Sequence, residues 1–345
     1  MYDFNQLARA YAAVPVTGDL KTWHADFVVD EVMPVKPSGQ GEHLWVQVEK
    51  KGCNTDWLAR QLAGVAGVRP AAVGYAGMKD KHAVCRQWFS VHLPGRPDPD
   101  LAPLESAQVS VLQARRHGRK LKRGVLSGNA FRLCLRNLRG ALSRLPARLE
   151  TIAQEGVPNY FGEQRFGLGM RNLHKAERLF ARSLGRCGKY QRGLFLSAAR
   201  AWLFNLVLSA RIEQGSWNRR LPGEVLMLDG SKAFFADDGT ALDARLAAMD
   251  IHPSGPLWGA GTSLATQQCQ DIEAAAVQAC PRLLQGLREA GLAQERRALR
   301  LKVSHLRWQF TRDKTLIVEF VLPAGAFATM VLRELLQVRN RASSR

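Results

Sequence analysis

The sequence has no uninterrupted run of 18 apolar residues, so no membrane-spanning segment is expected. Its first residues, MYDFNQLARAYAAV, lack a basic stretch followed by an apolar core and do not read as a secretory signal. Cysteine is sparse: Cys53, Cys85, Cys134, Cys187, Cys269 and Cys280 include no C-x-x-C pair. Their spacings suit neither a disulfide framework nor a zinc site, so free thiols in a reducing cytoplasm are expected. His82 and Cys85 stand three apart, but no second ligand pair completes them, and no metal is expected. There is no phosphate loop, no G-x-G-x-x-G, no G-x-S-x-G elbow and no H-E-x-x-H. Nothing therefore supports ATP-driven, nicotinamide, elbow-hydrolase or zinc-protease chemistry, and any reaction here is expected to run without a cofactor.

Acidic residues are also few: 30 Asp and Glu stand against 49 Lys and Arg, for a net charge of +19 and a pI near 10.3. Such a charge attracts polyanions through long-range fields and counterion release, and nucleic acid is the first candidate partner. An anionic membrane surface ranks second, because no basic amphipathic helix with an aromatic face stands out. The 345 residues, 46% of them apolar, suffice for one large domain or two ordinary ones.

Runs rich in β-branched and aromatic residues predict strands at 26–32, 43–48, 86–93, 130–136 and 315–322. A helix through Trp57, Leu58, Leu62 and Val65 is expected, capped by Asn54 or Thr55 and followed by Pro70. Further helical patterns occupy 143–155, 172–183, 195–213 and 271–290. The stretch 195–213 is apolar on more than one face and reads as buried. A last helix runs through Met330, Leu332, Leu335 and Leu336. Composition shifts near 155 and 303 suggest an α/β fold in which a discontinuous domain, 1–154 with 304–345, carries a helix-rich insertion, 155–303. The closing VRNRASSR reads as a disordered basic tail.

The most informative segment is GYAGMKDKHAVCRQWFSVH, residues 74–92. Gly74 and Gly77 allow a tight turn and a close backbone approach. Asp80 follows between Lys79 and Lys81, cations that favour an ionised carboxylate and draw in phosphates. On local grounds this is either a solvated polar turn or a catalytic loop. The segment resembles the signature of TruD-type tRNA pseudouridine synthases. So do ADFVVDE (25–31), GNAF (128–131), VPNYFGEQRFG (157–167) and PAGAFATMVLREL (323–335), all in order. Cys85 and Met78 depart from the residues common in that family, and neither is the proposed catalytic group.

The resemblance implies a pseudouridine-synthase-type catalytic domain with a mixed, largely antiparallel sheet and an inserted helix-rich TRUD domain. It implies cofactor-free isomerisation of uridine to pseudouridine in tRNA, at position 13, on a nucleotide flipped from its stack. Asp80 is then the catalytic aspartate, either attacking covalently or removing a ribose proton. Phe27, Asn129 and Phe327 match substrate-contacting positions, although Phe27 in an apolar strand also suits plain core packing and Asn129 a turn. Lys21 is a candidate ion-pair partner of Asp80, with Lys81 and Gln87 as further support. The run ARRHGRKLKRG, 114–124, is either a solvated basic face or an RNA-backbone contact. NYFGEQRFG is either an RNA-facing element or a structural hinge. The rival reading is a non-catalytic RNA-binding protein. The expected setting is a cytoplasmic monomer that binds tRNA and needs no protein partner.

Overall fold

The computed structural model describes residues 2–181 and 187–344. The first elements in chain order are β1 (Val16–Leu20), β2 (Phe27–Val32), β3 (His43–Lys51), α1 (Thr55–Val65), β4 (Val73–Tyr75), β5 (Val84–His92), β6 (Val109–His117) and β7 (Gly128–Gly140). Then come α2 (Leu145–Glu155), β8 (Val157–Pro158), α3 (Arg171–Ala181), α4 (Lys189–Glu213), β9 (Val225–Leu228), β10 (Phe234–Ala236), α5 (Asp243–Ala247) and β11 (Ile251–Leu257). The chain finishes with α6 (Gln267–Val277), α7 (Pro281–Glu289), β12 (Glu295–Ala298), β13 (Arg300–Leu301), β14 (Ser304–Thr311), β15 (Thr315–Pro323), α8 (Ala328–Leu335) and β16 (Gln337–Asn340).

The strands predicted at 26–32, 43–48, 86–93, 130–136 and 315–322 fall on β2, β3, β5, β7 and β15. The helix predicted over 271–290 is two helices, because Pro281 opens α7 and has no N–H to continue α6. That predicted over 172–183 follows α3 to Ala181; residues 182 and 183 lie outside the described residues.

Packing divides the chain into two compact units, one of residues 15–144, 304–325 and 336–345, the other of 1–14, 145–303 and 326–335. The composition shifts placed 1–14, 145–154 and 326–335 with the strands. Arg148 shows why these three segments group together: its guanidinium donates to the carbonyls of Ala12 (2.6 Å) and Glu334 (2.7 Å).

The first unit is built on one sheet in the order β14-β15-β7-β2-β5-β3-β6, with β1 also on β7 and β4 on β5. Its pairs are antiparallel except β2 with β5 and β1 with β16, so the sheet is mixed and largely antiparallel. Helix α1 covers one face of it. Leu58, Ala59, Leu62 and Ala63 recur at helical spacing and are buried with Leu44, Val46, Val48, Phe89 and Val91. Each fully buried leucine there contributes about 1.5–3 kcal/mol. Two glycines sit where side chains cannot. A Cβ at Gly74 would strike the carbonyl oxygen of Leu121, and one at Gly128 that of Leu322.

In the other unit the long helix α4 buries Phe195, Trp202, Leu203, Phe204, Val207 and Leu208 among residues of α3, α6 and α7. By length and composition α4 could cross a membrane, but 67% of its apolar window is buried within the fold, which accounts for that character. A four-stranded sheet, β10-β9-β11-β12, and the short pair β8–β13 complete this unit.

The closing residues are not a free tail. Strand β16 pairs in parallel with β1, and a 3-10 turn follows at Arg341–Ser344. Periodicity gave no sign of this strand, because its anchor is electrostatic. The buried carboxylate of Asp19 has Arg339 Nε 2.9 Å from Oδ1 and accepts from Arg341 (3.1 Å) and Asn137 (2.9 Å) at Oδ2. Burial pushes the Asp19 carboxyl up, but these partners outweigh it and hold it below its ordinary value. The stabilisation is therefore present above the unfolded carboxyl's pKa and is lost as pH falls through the folded one. Asp19→Ala is expected to cost about 1–3 kcal/mol at neutral pH. Thermal melting from pH 7 to pH 3 checks this, and the gap to wild type should close as acid is added.

Candidate active site

The loop between β4 and β5 is held from three sides. Gln87, fully buried on β5, donates from Nε2 to the carbonyl of Gly77 (2.6 Å). Its Oε1 accepts from the hydroxyl of Thr55 (3.0 Å), which in turn accepts from the amide of Lys79 (3.0 Å). Asn54 occupies the N-cap position of α1 without a side-chain cap bond, so the Thr55 hydroxyl serves this loop and not the helix end. Lys50, fully buried, donates to the carbonyls of Cys53 (2.8 Å) and Asp80 (2.9 Å). The Cys85 thiol also reaches the Asp80 carbonyl, at 3.6 Å, and burial pushes its pKa up to about 11. Cys85 is thus a neutral donor inside the fold, not a thiolate ligand.

The backbone of Asp80 is fixed and its side chain reaches outward. Oδ1 accepts from the amide of His82 (2.8 Å), and Oδ2 pairs with Lys21 Nζ. The Asp80 side chain is 39% exposed and that of Lys21 only 9%. Lys21 takes a left-handed backbone turn (φ 58°), and its ammonium stands 4.4 Å over the ring of Phe27. Partial burial pushes the Asp80 carboxyl up. The Lys21 hydrogen bond and charge, with the His82 amide and ring, outweigh it, so the group lies below its ordinary pKa and is ionised at neutral pH.

Phe27 is 7% exposed, with the edge of Phe131 against it (6.1 Å, 82°) and Lys21 over its face. In this arrangement it is a platform for the ammonium. Asn129 lies opposite Glu31 in the β2–β7 register, and its Oδ1 accepts from Lys79 Nζ at 2.7 Å. The same ammonium is 3.0 Å from Oε1 of Glu31, a fully buried carboxylate whose Oε2 accepts from the Trp88 amide (2.8 Å). Burial pushes the Glu31 carboxyl up, opposed by Lys79 and the Trp88 amide. Lys81 is exposed on the rim of the loop. Lys21, Asp80 and Phe27 thus form one contact set and Lys79 and Asn129 another, joined through the peptide bond between residues 79 and 80 within one unit.

Phe327 belongs to the other unit. It is partly exposed just before α8, and its ring lies 6.4 Å from that of Phe161. Phe161 is stacked by Arg297 (4.1 Å) and flanked by Arg165 (5.6 Å). Within NYFGEQRFG, Asn159, Tyr160, Gly162 and Phe166 are buried, whereas Glu163 and Gln164 are exposed. Tyr160 donates to the carbonyl of Ala8, Asn205 brackets both backbone groups of Phe161, and Phe166 is fully buried. The basic run at 114–124 divides in the same way. Arg116 is bound to Asp98 and two carbonyls and Lys120 to the carbonyl of Ala71, whereas Arg115, Arg119, Lys122 and Arg123 are exposed.

Sequence reasoning missed Glu31, Lys50 and Thr55. Two of them carried a signal. Leu44, Val46, Val48 and Lys50 share one face of β3, and Phe27, Val29 and Glu31 one face of β2, so a charge ends each inward apolar row. A charge at an inward position requires a buried partner.

The first unit thus holds a fixed, ionised aspartate, an amide and an aromatic on one mixed sheet. The family model described as tRNA pseudouridine synthase D (TruD) matches residues 5–176 and 168–335. Proteins named tRNA pseudouridine synthase D from Methylococcus capsulatus and Pseudomonas aeruginosa (strain UCBPP-PA14) are each 48% identical to this chain. The first match covers 97% of this chain and 95% of the relative; the second covers 96% and 93%. The same fold occurs in a crystal structure of a Methanosarcina mazei protein titled for tRNA pseudouridine synthase D (TM-score 0.73, 22% identity, 95% of each chain). The chain belongs to the TruD family.

The ion pair gives a direct test. In Lys21→Met burial acts on Asp80 against only the His82 amide and ring, so the carboxyl pKa should rise. Carbon-detected NMR titration of the aspartate carboxyls reads this; an unmoved Asp80 resonance would mean that Lys21 does not hold its charge.

Proposed function

We propose that this chain isomerises uridine to pseudouridine in tRNA, at position 13, with Asp80 as the catalytic residue. The observation that carries the reading is the ionised, outward-reaching Asp80 carboxylate, fixed by Lys21 and the His82 amide next to the Lys79–Asn129 pair. The reaction breaks an N-glycosidic bond and rejoins the same base through carbon. It needs no electron donor and no group donor. An ionised carboxylate supplies what either available route requires, a nucleophile or an acceptor for a ribose proton.

The target base must leave its stack to be turned, and the protein must hold it meanwhile. Asn129 offers its amide to the uracil edge. Phe27, which also carries Lys21 over its face, and Phe327, with a partly exposed ring, are the proposed aromatic substrate contacts, and stacking contributes about 1–3 kcal/mol per base. Lys81 and the exposed members of the 114–124 run, in a chain of net charge +19, contact the RNA backbone. The six free cysteines fit a reducing cytoplasm. The proposed setting is a monomer that requires no cofactor and no second protein.

Purified protein incubated with unmodified tRNA transcripts, without added cofactor, should form pseudouridine at position 13 when mapped at single-nucleotide resolution. Asp80→Asn should abolish the product and leave RNA affinity within a few-fold of wild type. Equal product from both proteins would support a non-catalytic binder and end this reading. Replacing Arg115, Arg119 and Lys122 by serine should weaken tRNA binding. It should also flatten the log–log salt slope by about 0.7–0.9 for each phosphate that the protein no longer neutralises. An unchanged slope would make the run a solvated face.

A further inference from the structure

The buried Glu31–Lys79 pair fixes which end of the Asn129 side chain faces the substrate. A carboxamide can be turned either way in a structure, because its oxygen and nitrogen are nearly the same size. Here chemistry removes the ambiguity. The atom 2.7 Å from Lys79 Nζ must be an acceptor, since an ammonium has three donors and no acceptor. It is therefore Oδ1, and the NH2 group points the other way. Lys79 cannot turn aside to release it. Its side chain is 8% exposed, and its charge is tied to a carboxylate with no exposure at all, which the Trp88 amide and the β2 backbone hold in place. Moving that ammonium would strand a buried charge. The Lys79 backbone is pinned as well, through Thr55 and Gln87.

We infer that Glu31 and Lys79 are positioning residues that lock Asn129 as an N–H donor, so that it reads a carbonyl oxygen of the pyrimidine. The inference rests on the reading above that Asn129 contacts the target base. Its content is the direction of the hydrogen bond. An amide free to rotate would accept an amino group as readily as it donates to a carbonyl; one held by Lys79 keeps its donors aimed at the base. Lys79 thus serves recognition, while its neighbour Asp80 serves reaction.

A double-mutant cycle tests this on the full-length protein under single-turnover conditions. Asn129→Ala is compared with the charge-neutral pair Glu31→Gln/Lys79→Met, and both with their combination. Each change alone should slow turnover about tenfold, the scale of one net hydrogen bond, and the combination no more than either. Additive losses would overturn the inference while leaving Asn129 as a base contact. A silent Asn129→Ala would instead overturn the underlying assignment. Asn129→Asp needs no change in the core. Its carboxylate accepts from Lys79 as before but cannot donate, so it should lose as much as Asn129→Ala, and full activity would refute the donor role. Transcripts with 4-thiouridine or 2-thiouridine at the target give a readout that a merely structural effect would not move. One sulfur, a poorer acceptor, should slow wild type and make no difference to Asn129→Ala. Equal sensitivity of the two proteins to both analogues would sink the idea.

Discussion

A carboxylate partly withdrawn from water tends to take up a proton, and a protonated aspartate is neither a nucleophile nor a base. The Lys21–Asp80 ion pair resolves that conflict, and the surrounding structure depends on it. The lysine must itself be held. A left-handed turn places it, and the face of Phe27 lies beneath its charge. The aspartate's backbone is immobilised by Lys50, and its loop by Gln87 and Thr55. Together these five groups fix where one negative charge sits.

A second pair, Glu31 with Lys79, lies one residue away and is far more deeply buried. The Asp80 carboxylate keeps access to solvent, whereas in the buried pair every departure from the native arrangement exposes an unmatched charge to a medium that solvates it poorly.

The Asp80 loop was legible as a candidate because its residues are contiguous, and the family resemblance, not the loop alone, chose between a polar turn and a catalytic loop. A glycine that must approach another backbone, two flanking lysines and a following Q-W are contiguous in the chain. The main strands were legible through β-branched and aromatic runs. The supporting charges were harder to see, because Lys50 and Glu31 lie on separate strands and become meaningful only once β2, β3 and β5 are paired. Thr55 looked like a helix cap because the sequence before α1 shows nothing of the Lys79 amide that claims it. The last strand was invisible for a related reason. QVRN has no apolar alternation, and its place is set by a buried aspartate more than 300 residues earlier. Local pattern encodes local structure well; partners drawn from distant segments leave almost no trace in it.

The pairing of β1 with β16, and of β7 with β15, also bears on how the chain is made. Translation delivers the first seven strands, then the whole stretch that forms most of the helical unit, and only afterwards the strands that flank β7 and β1. Until then the hydrogen-bonding edges of β7 and β1 that will receive β15 and β16 stay unmatched, and nascent edges of this kind invite association with other chains. Pairings of such long sequence separation also close slowly. Assembly of the sheet therefore waits on the tail of the message, and a ribosome stalled within the helical stretch would hold a half-built sheet.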